Sequence, residues 1–227
     1  MDFRRLSKLA LEQEHRSRAG VISCSSLERL WACPASFEEQ KKFKPKPSSS
    51  DASRGTILHK MMEIDSCPFD APDDYHEAFK KAQGMRNSLV DRFGLVERES
   101  ESYFDSDELT GSMDEIFYSS DRKMALILDY KFGHIRTEAK EQLTGYAYLL
   151  YNREPSLKEI YVGVCQPACS SRIEVQLIEK EKAEQRIKLI LENRKLIDQF
   201  NAGWDWCKYC RAFGNCEKTK INIGEWI

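Results

Sequence analysis

The chain has 227 residues, of which 41% are hydrophobic and 32% charged, with a formal net charge of −2. That length fits one large domain, or one domain with a small appendage. The near-neutral balance argues against a protein that coats nucleic acid by bulk charge, and no run approaches the roughly 18 apolar residues of a membrane span. The N-terminal stretch MDFRRLSKLALEQEHRSR lacks the apolar segment of a secretory signal, so a cytoplasmic location is expected. Eight cysteines in such a compartment point to metal chemistry rather than disulfides.

Residues 1–20 read as a charged helix carrying Arg4, Arg5 and Lys8, solvated or facing a partner. In SCSSLERLWACPASFEE, Ser25 or Ser26 is placed to cap a helix holding Leu27, Leu30 and Trp31 and ending near Cys33-Pro34. The stretch KKFKPKPSSSDAS reads as a loop by its lysine, proline and serine. A helix is then expected from Ser53 or Thr56, with His59 and Glu63 four apart and so on one face. After a loop from Cys67 to Asp74, Tyr75 to Phe93 is amphipathic and stops at Gly94. From Val96 the polarity alternates like a strand, and the acidic density from Glu97 to Glu108 reads as a solvated outer edge. Asp114 lies on the next strand-like run, and Lys123 to Lys131 is apolar enough to be a buried strand. Glu138 to Tyr151 carries a helical stripe of Leu143, Ala147 and Leu150. Lys158 to Cys165 is a strand expected to run parallel to the Asp129 strand, because a helix connects them. Ser171 to Ile178 is its hairpin partner, and Glu179 to Phe200 is a charged helix with Ile187, Ile190, Leu191 and Ile197 inward.

The stretch Gly111 to Tyr146 concentrates the chemistry. Alternate residues of a strand share a face, so Asp129 and Lys131 project together with Ile127. Asp114, Asp129 and a lysine at the end of a buried strand are costly to desolvate unless paired or bound to something; a divalent cation between the two aspartates would compensate. These residues carry a resemblance. Arg54-Gly55-Thr56-Ile57-Leu58-His59, then Gly111-Ser112-Met113-Asp114-Glu115-Ile116, then Asp129-Tyr130-Lys131 with Phe132-Gly133, and Gln142-Leu143-Thr144-Gly145-Tyr146 resemble, in order, four motifs of the RecB-like exonuclease branch of the PD-(D/E)xK nuclease superfamily. The resemblance spans roughly Ser23 to Cys216, with Phe132 in place of the more usual small polar residue. It implies an α/β, restriction-endonuclease-like fold: a mixed central sheet flanked by helices over residues 1–200, and a C-terminal cysteine-rich metal-binding tail over 201–227.

In that tail Cys207, Cys210 and Cys216 form a C-x2-C-x5-C arrangement that needs one more ligand to close a four-sulfur site. Among nucleases resembling this chain, a subset that includes helicase–nucleases and CRISPR-associated exonucleases has one cysteine before the histidine motif and three at the C-terminus, holding a [4Fe–4S] cluster. Cys33 stands where that first cysteine belongs. Zinc is the alternative metal; Cys24, or Cys165 and Cys169, are alternative sources of the fourth thiolate; Cys67 reads as a plain thiol.

The resemblance further implies a metal-dependent DNA exonuclease, in recombination, DNA processing, or phage- or CRISPR-type DNA metabolism. His59, Asp114, Asp129 and the carbonyl of Tyr130 would hold Mg²⁺ or Mn²⁺. Lys131 would orient the attacking water or stabilise developing charge, and Gln142 and Tyr146 would contact DNA or hold Lys131 and the ligands in register. The expected partner is DNA with a single-stranded end, beside a helicase or recombination protein; RNA stays open as a substrate. Two rival readings are a nuclease-fold subunit that anchors strands for a partner helicase or recombinase, and a zinc-stapled scaffold. The intact Asp114, Asp129 and Lys131 speak against the first, since a pure binder has no need of them.

Overall fold

The computed structural model describes residues 1–12, 21–44, 49–195, 207, 210–212 and 215–216. Strand β3 (Leu109–Ser119) is the one about which its sheet is built. β2 (Leu95–Asp105) runs antiparallel along nearly all of it, and β1 (Ile22–Ser23) joins its first two residues in parallel. β4 (Met124–Tyr130) pairs antiparallel with Glu115–Tyr118 only. Beyond β4 come β5 (Glu159–Cys165), in parallel, and β6 (Val175–Ile178), antiparallel. The parallel β4–β5 step is made through helix α6 (Lys140–Arg153), as a crossover between parallel strands requires.

Helices cover both faces of this mixed sheet. On one, α2 (Leu27–Ala32), α6 and α7 (Lys180–Asn193) pack on Ile116, Ile127 and Val162. On the other, α1 (Phe3–Glu12), α4 (Ser50–Glu63) and α5 (Asp73–Phe93) pack on Phe117, Leu126, Leu128 and Tyr130. The period of two along β4 sorts Ile127 to one core and its neighbours Leu126 and Leu128 to the other, and both cores exclude water from the strand. The α/β architecture of a mixed sheet flanked by helices is the expected one.

Several local expectations change. α1 is not simply a solvated helix: Leu6 and Ala10, one turn apart, are buried against α4. The helix carrying His59 begins at Ser50, earlier than Ser53 or Thr56, because the Ser49 side chain caps it by accepting the Ala52 N–H at 3.2 Å. Lys41 belongs to the short helix α3 (Ser36–Lys41) rather than to the loop that follows. Ser26 stands at the N-cap of α2, but its Oγ pairs with Ser23 Oγ at 2.9 Å instead of the helix amides. α5 stops where expected, at Gly94 with φ +62, a left-handed conformation that glycine adopts without a Cβ penalty. The expected helix to Phe200, with Ile197, and most of the cysteine tail lie outside the described residues.

The seam between α6 and the sheet is closed by two glycines. A Cβ on Gly111 would lie 2.8 Å from the Tyr146 ring and 2.9 Å from Cys24 Sγ; one on Gly145 would lie 2.6 Å from Leu27 Cδ1 and 2.9 Å from the same sulfur. α6 therefore sits close enough to β3 to bring Gln142 and Tyr146 over the chemistry described next.

Candidate active site

The ladder between β3 and β4 ends at the pair Glu115–Leu128, so the strands part just as Asp114 and Asp129 are reached. The Tyr130 N–H, released from the ladder, donates to Asp114 Oδ2 at 2.6 Å. Asp114 Oδ1 faces His59 Nδ1 at 3.3 Å, supplied by α4 across the fork. The pairs Ser100–Glu115 and Ser102–Met113 set Glu101 opposite Asp114 on β2. Glu101 has φ +48, an unusual backbone for a glutamate in a strand. One ligand atom each from His59, Glu101 and Asp114 lie within 4.8 Å of one another.

Asp129 sits deeper, its side chain only 3% exposed. Its Oδ1 accepts from Gln142 Nε2 at 2.9 Å, and the same amide nitrogen donates to the Tyr146 hydroxyl at 2.7 Å. Asp129 Oδ2 is buried without a directed hydrogen bond; its contact is the Lys131 ammonium at 2.8 Å. The fork thus brings together His59, Asp114, Asp129, Lys131, Gln142 and Tyr146, drawn from α4, β3, β4 and α6.

The charges are strongly coupled. Burial pushes the Asp129 carboxyl up to about 6, with the Asp114 charge adding to it and Lys131 opposing. For Lys131, burial disfavours the ammonium, but the Asp129 carboxylate outweighs it and the net shift is upward. His59 is likewise raised: burial pulls it down, and Asp114 more than offsets that; the same pair holds Asp114 below its ordinary value despite burial. Glu101 is pushed up to about 7, first by burial and then by Asp114. Two aspartates and Glu101 converge here on one ammonium, Lys131, and one imidazole, His59. Three carboxylates and one imidazole, from Asp114, Asp129, Glu101 and His59, form a donor set that a hard divalent cation fits.

A cavity of about 900 Å³ opens beside the fork, lined among others by His59, Lys60, Glu63, Glu101, Asp114 and Tyr146. His59 and Glu63, one turn apart on α4, both reach it. On the far face of β3, Glu115 is fully buried and bound by Arg86 at 3.1 Å, by Arg98 and by the Tyr130 hydroxyl. Tyr130 therefore ties its backbone to Asp114 and its phenol to Glu115, through opposite faces of the sheet.

Cys33 is buried at the C-terminal end of α2, and Cys207 is buried too. Burial raises Cys33, and Cys207, Cys210 and Cys216 each raise it further by their proximity. Cys24 is enclosed between Gly111 and Gly145, and Cys165 is wholly buried in β5.

The sequence model of the PD-(D/E)XK nuclease superfamily matches residues 21–217, most of the chain. This protein belongs to that superfamily. No curated protein matches it. Among solved structures it is similar to SSO0001, at 18% identity over 96% of this chain and 97% of that one, with a TM-score of 0.49. It is also similar to a putative exonuclease from Eubacterium rectale, at 10% identity over 95% and 100% of the two chains and a TM-score of 0.48. A phage related exonuclease from Haemophilus somnus 129PT matches at 15% identity over 78% and 92%, with a TM-score of 0.40.

Two carboxylates of this superfamily member escape a reading by motif. Glu101 looked like part of a solvated acidic edge; only the register of β2 against β3 turns it toward Asp114. Glu28 lies far from Gln142 in sequence, yet its Oε1 accepts the Gln142 N–H at 3.0 Å. For Glu101 a signal existed, since a hairpin closing at Asp105 and Thr110 fixes the pairing; for Glu28 none did.

Proposed function

We propose that this protein is a metal-dependent deoxyribonuclease of the RecB-like type, degrading DNA from an end. The observation that carries the reading is the fork at Asp114 and Asp129: two carboxylates, an imidazole and an ammonium converge beside an open cavity, with Asp129 held between Gln142 and Lys131. Asp114, Asp129, His59 and the Tyr130 carbonyl would hold Mg²⁺ or Mn²⁺, with Glu101 as a further oxygen donor. The cation supplies charge neutralisation at the phosphate and a more acidic attacking water.

Lys131 remains protonated beside Asp129 and donates to the water or to a phosphate oxygen as charge builds there. Gln142 fixes Asp129 by its amide, leaving the second carboxylate oxygen toward Lys131. Tyr146, held by Gln142, closes the wall of the cavity in which a DNA strand would lie.

The tail is assigned to a [4Fe–4S] cluster on Cys33, Cys207, Cys210 and Cys216, which would join the two ends of the chain; zinc is the lesser alternative. What supports it is that Cys207, Cys210 and Cys216 lie near enough to raise the Cys33 thiol, while Cys24 and Cys165 are buried in the core. Residues 1–200 would then form the nuclease core and 201–227 its metal-bound closure. The partners would be DNA with a single-stranded end and a helicase or recombination protein. Among the described residues no helix is long and apolar enough to cross a membrane.

The test is digestion of 5′- and 3′-labelled linear DNA and of a closed circle, with Mg²⁺, Mn²⁺ or EDTA, alongside iron and zinc analysis of the purified protein. Progressive shortening of linear DNA only, in the presence of metal, supports the reading. Binding without cleavage by the folded, metal-loaded protein would replace it with a strand-anchoring subunit.

A further inference from the structure

The geometry points to Glu28 as a positioning residue for the reaction, acting as the N-terminal cap of α6 from another helix. This rests on the nuclease reading above. α6 has no cap of its own. The residue before it, Ala139, has no polar side chain and lies at φ +49. The first amides of a helix have no partner within the helix, and each left unmet in a buried place is costly. Here Glu28 Oε1 accepts both the Glu141 N–H at 2.8 Å and the Gln142 N–H at 3.0 Å, from 113 and 114 residues away. A carboxylate at that end also meets the positive pole of the helix.

Gln142 is the residue whose side chain grips Asp129 Oδ1 and the Tyr146 hydroxyl. One acidic side chain thus holds the backbone from which the amide contact to Asp129 springs. The support for Glu28 is itself rigid. Its helix is anchored by buried Leu27 and Leu30, and the neighbouring Trp31 carries the Arg186 guanidinium 3.9 Å above its ring. Arg186 in turn clamps both carboxylate oxygens of Glu141, with Nε at 2.8 Å from Oε2. α2, α6 and α7 are therefore locked at the first turn of α6, the point from which Gln142 reaches into the fork. A small displacement there moves the hydrogen bond to Asp129, and reacting groups are sensitive to such shifts.

Glu28→Ala removes the acceptor; Glu28→Gln keeps a carbonyl oxygen for the two amides and removes the charge. Amide hydrogen exchange at Glu141 and Gln142, measured with DNA hydrolysis, separates the cases. With Glu28→Ala we expect those two amides to exchange about five- to tenfold faster while the β3 and β4 amides are unchanged. We also expect kcat to fall about ten- to a hundredfold at a KM within about threefold of wild type. Glu28→Gln should restore both to within about threefold of wild type. Wild-type exchange and kcat in Glu28→Ala would overturn the inference, as would equal impairment in both variants. If the alanine protein does not fold, Glu28→Asp, one methylene too short to reach both amides, takes its place. Absence of cleavage by the wild type would count against the nuclease reading alone, and the exchange comparison would still decide the role of Glu28.

Discussion

At Lys131 the balance of two opposing effects decides the chemistry. Burial alone would weaken its hold on the proton, and the Asp129 carboxylate 2.8 Å away more than restores it. The side chain is thus a donor, which in the proposed reaction would face the developing charge. Lys131→Ala should lower the rate of DNA cleavage about 10²- to 10⁴-fold, with the circular dichroism spectrum of the folded protein retained. Asp129 gives a second prediction, for the metal-free protein. Its folded value, pushed up to about 6 from 3.8, means that the fold disfavours the ionised form. Its contribution is then unfavourable to folding above about pH 6 and disappears below about pH 4, so stability is lost as pH rises through that window. In EDTA, Asp129→Asn should therefore gain on wild type by an amount of order 1–3 kcal/mol between pH 4 and pH 7. Urea unfolding at the two pH values reads the difference; one that does not change with pH contradicts the assigned burial cost.

At the scale of elements, the site depends on how closely α6 lies on β3. Gly111→Ala would drive a methyl group against the Tyr146 ring, which has no flexible end to swing aside. Overpacking of this kind should cost about 1–3 kcal/mol in urea unfolding and lower cleavage as well, since Tyr146 is bonded to Gln142. On the other face of the same strand, Glu115 neutralises Arg86 and Arg98, and Arg86 is only 5% exposed. Glu115→Ala should destabilise the fold by about 3–5 kcal/mol, because it leaves buried guanidinium charge behind, as thermal or urea unfolding would show.

The elements nearest the chemistry were the most legible in the sequence. β4 declares itself by an apolar run ending in Asp129-Tyr130-Lys131, and α6 by the spacing of Leu143, Ala147 and Leu150. The parallel placement of β5 follows from the helix between them. The cap at Glu28 is hidden because it needs the packing of α2 on α6, segments distant in sequence, whereas the turn of Glu101 toward Asp114 follows once the β2–β3 hairpin is paired. The burial of α1 was partly readable, since Leu6 and Ala10 recur at helical spacing within a charged sequence.

For the molecule as a whole, the fork is held from both sides of the sheet: α4 supplies His59 from one, α6 supplies Gln142 from the other, and β3 and β4 part between them. Cys33, at the end of the helix that bears Glu28, would connect this arrangement to the C-terminal tail. Cys33→Ser should remove the visible absorbance of an iron–sulfur cluster and lower the melting temperature of the as-purified protein. If the cluster closes a loop between the chain ends, the loss should be at least about 3 kcal/mol. Zinc in the purified protein, with no iron, would reassign the metal and leave the four-thiolate site standing.

The most direct test of the account is divalent-metal binding and DNA cleavage measured together on wild type, Asp129→Asn and Lys131→Ala. Mn²⁺ titration would be followed by single-turnover digestion of an end-labelled duplex with a single-stranded end. Wild type should bind and cleave, Lys131→Ala should bind Mn²⁺ comparably and cleave about 10²- to 10⁴-fold more slowly, and Asp129→Asn should lose both. Cleavage by Lys131→Ala at the wild-type rate, or wild-type cleavage that persists in EDTA, would contradict the account.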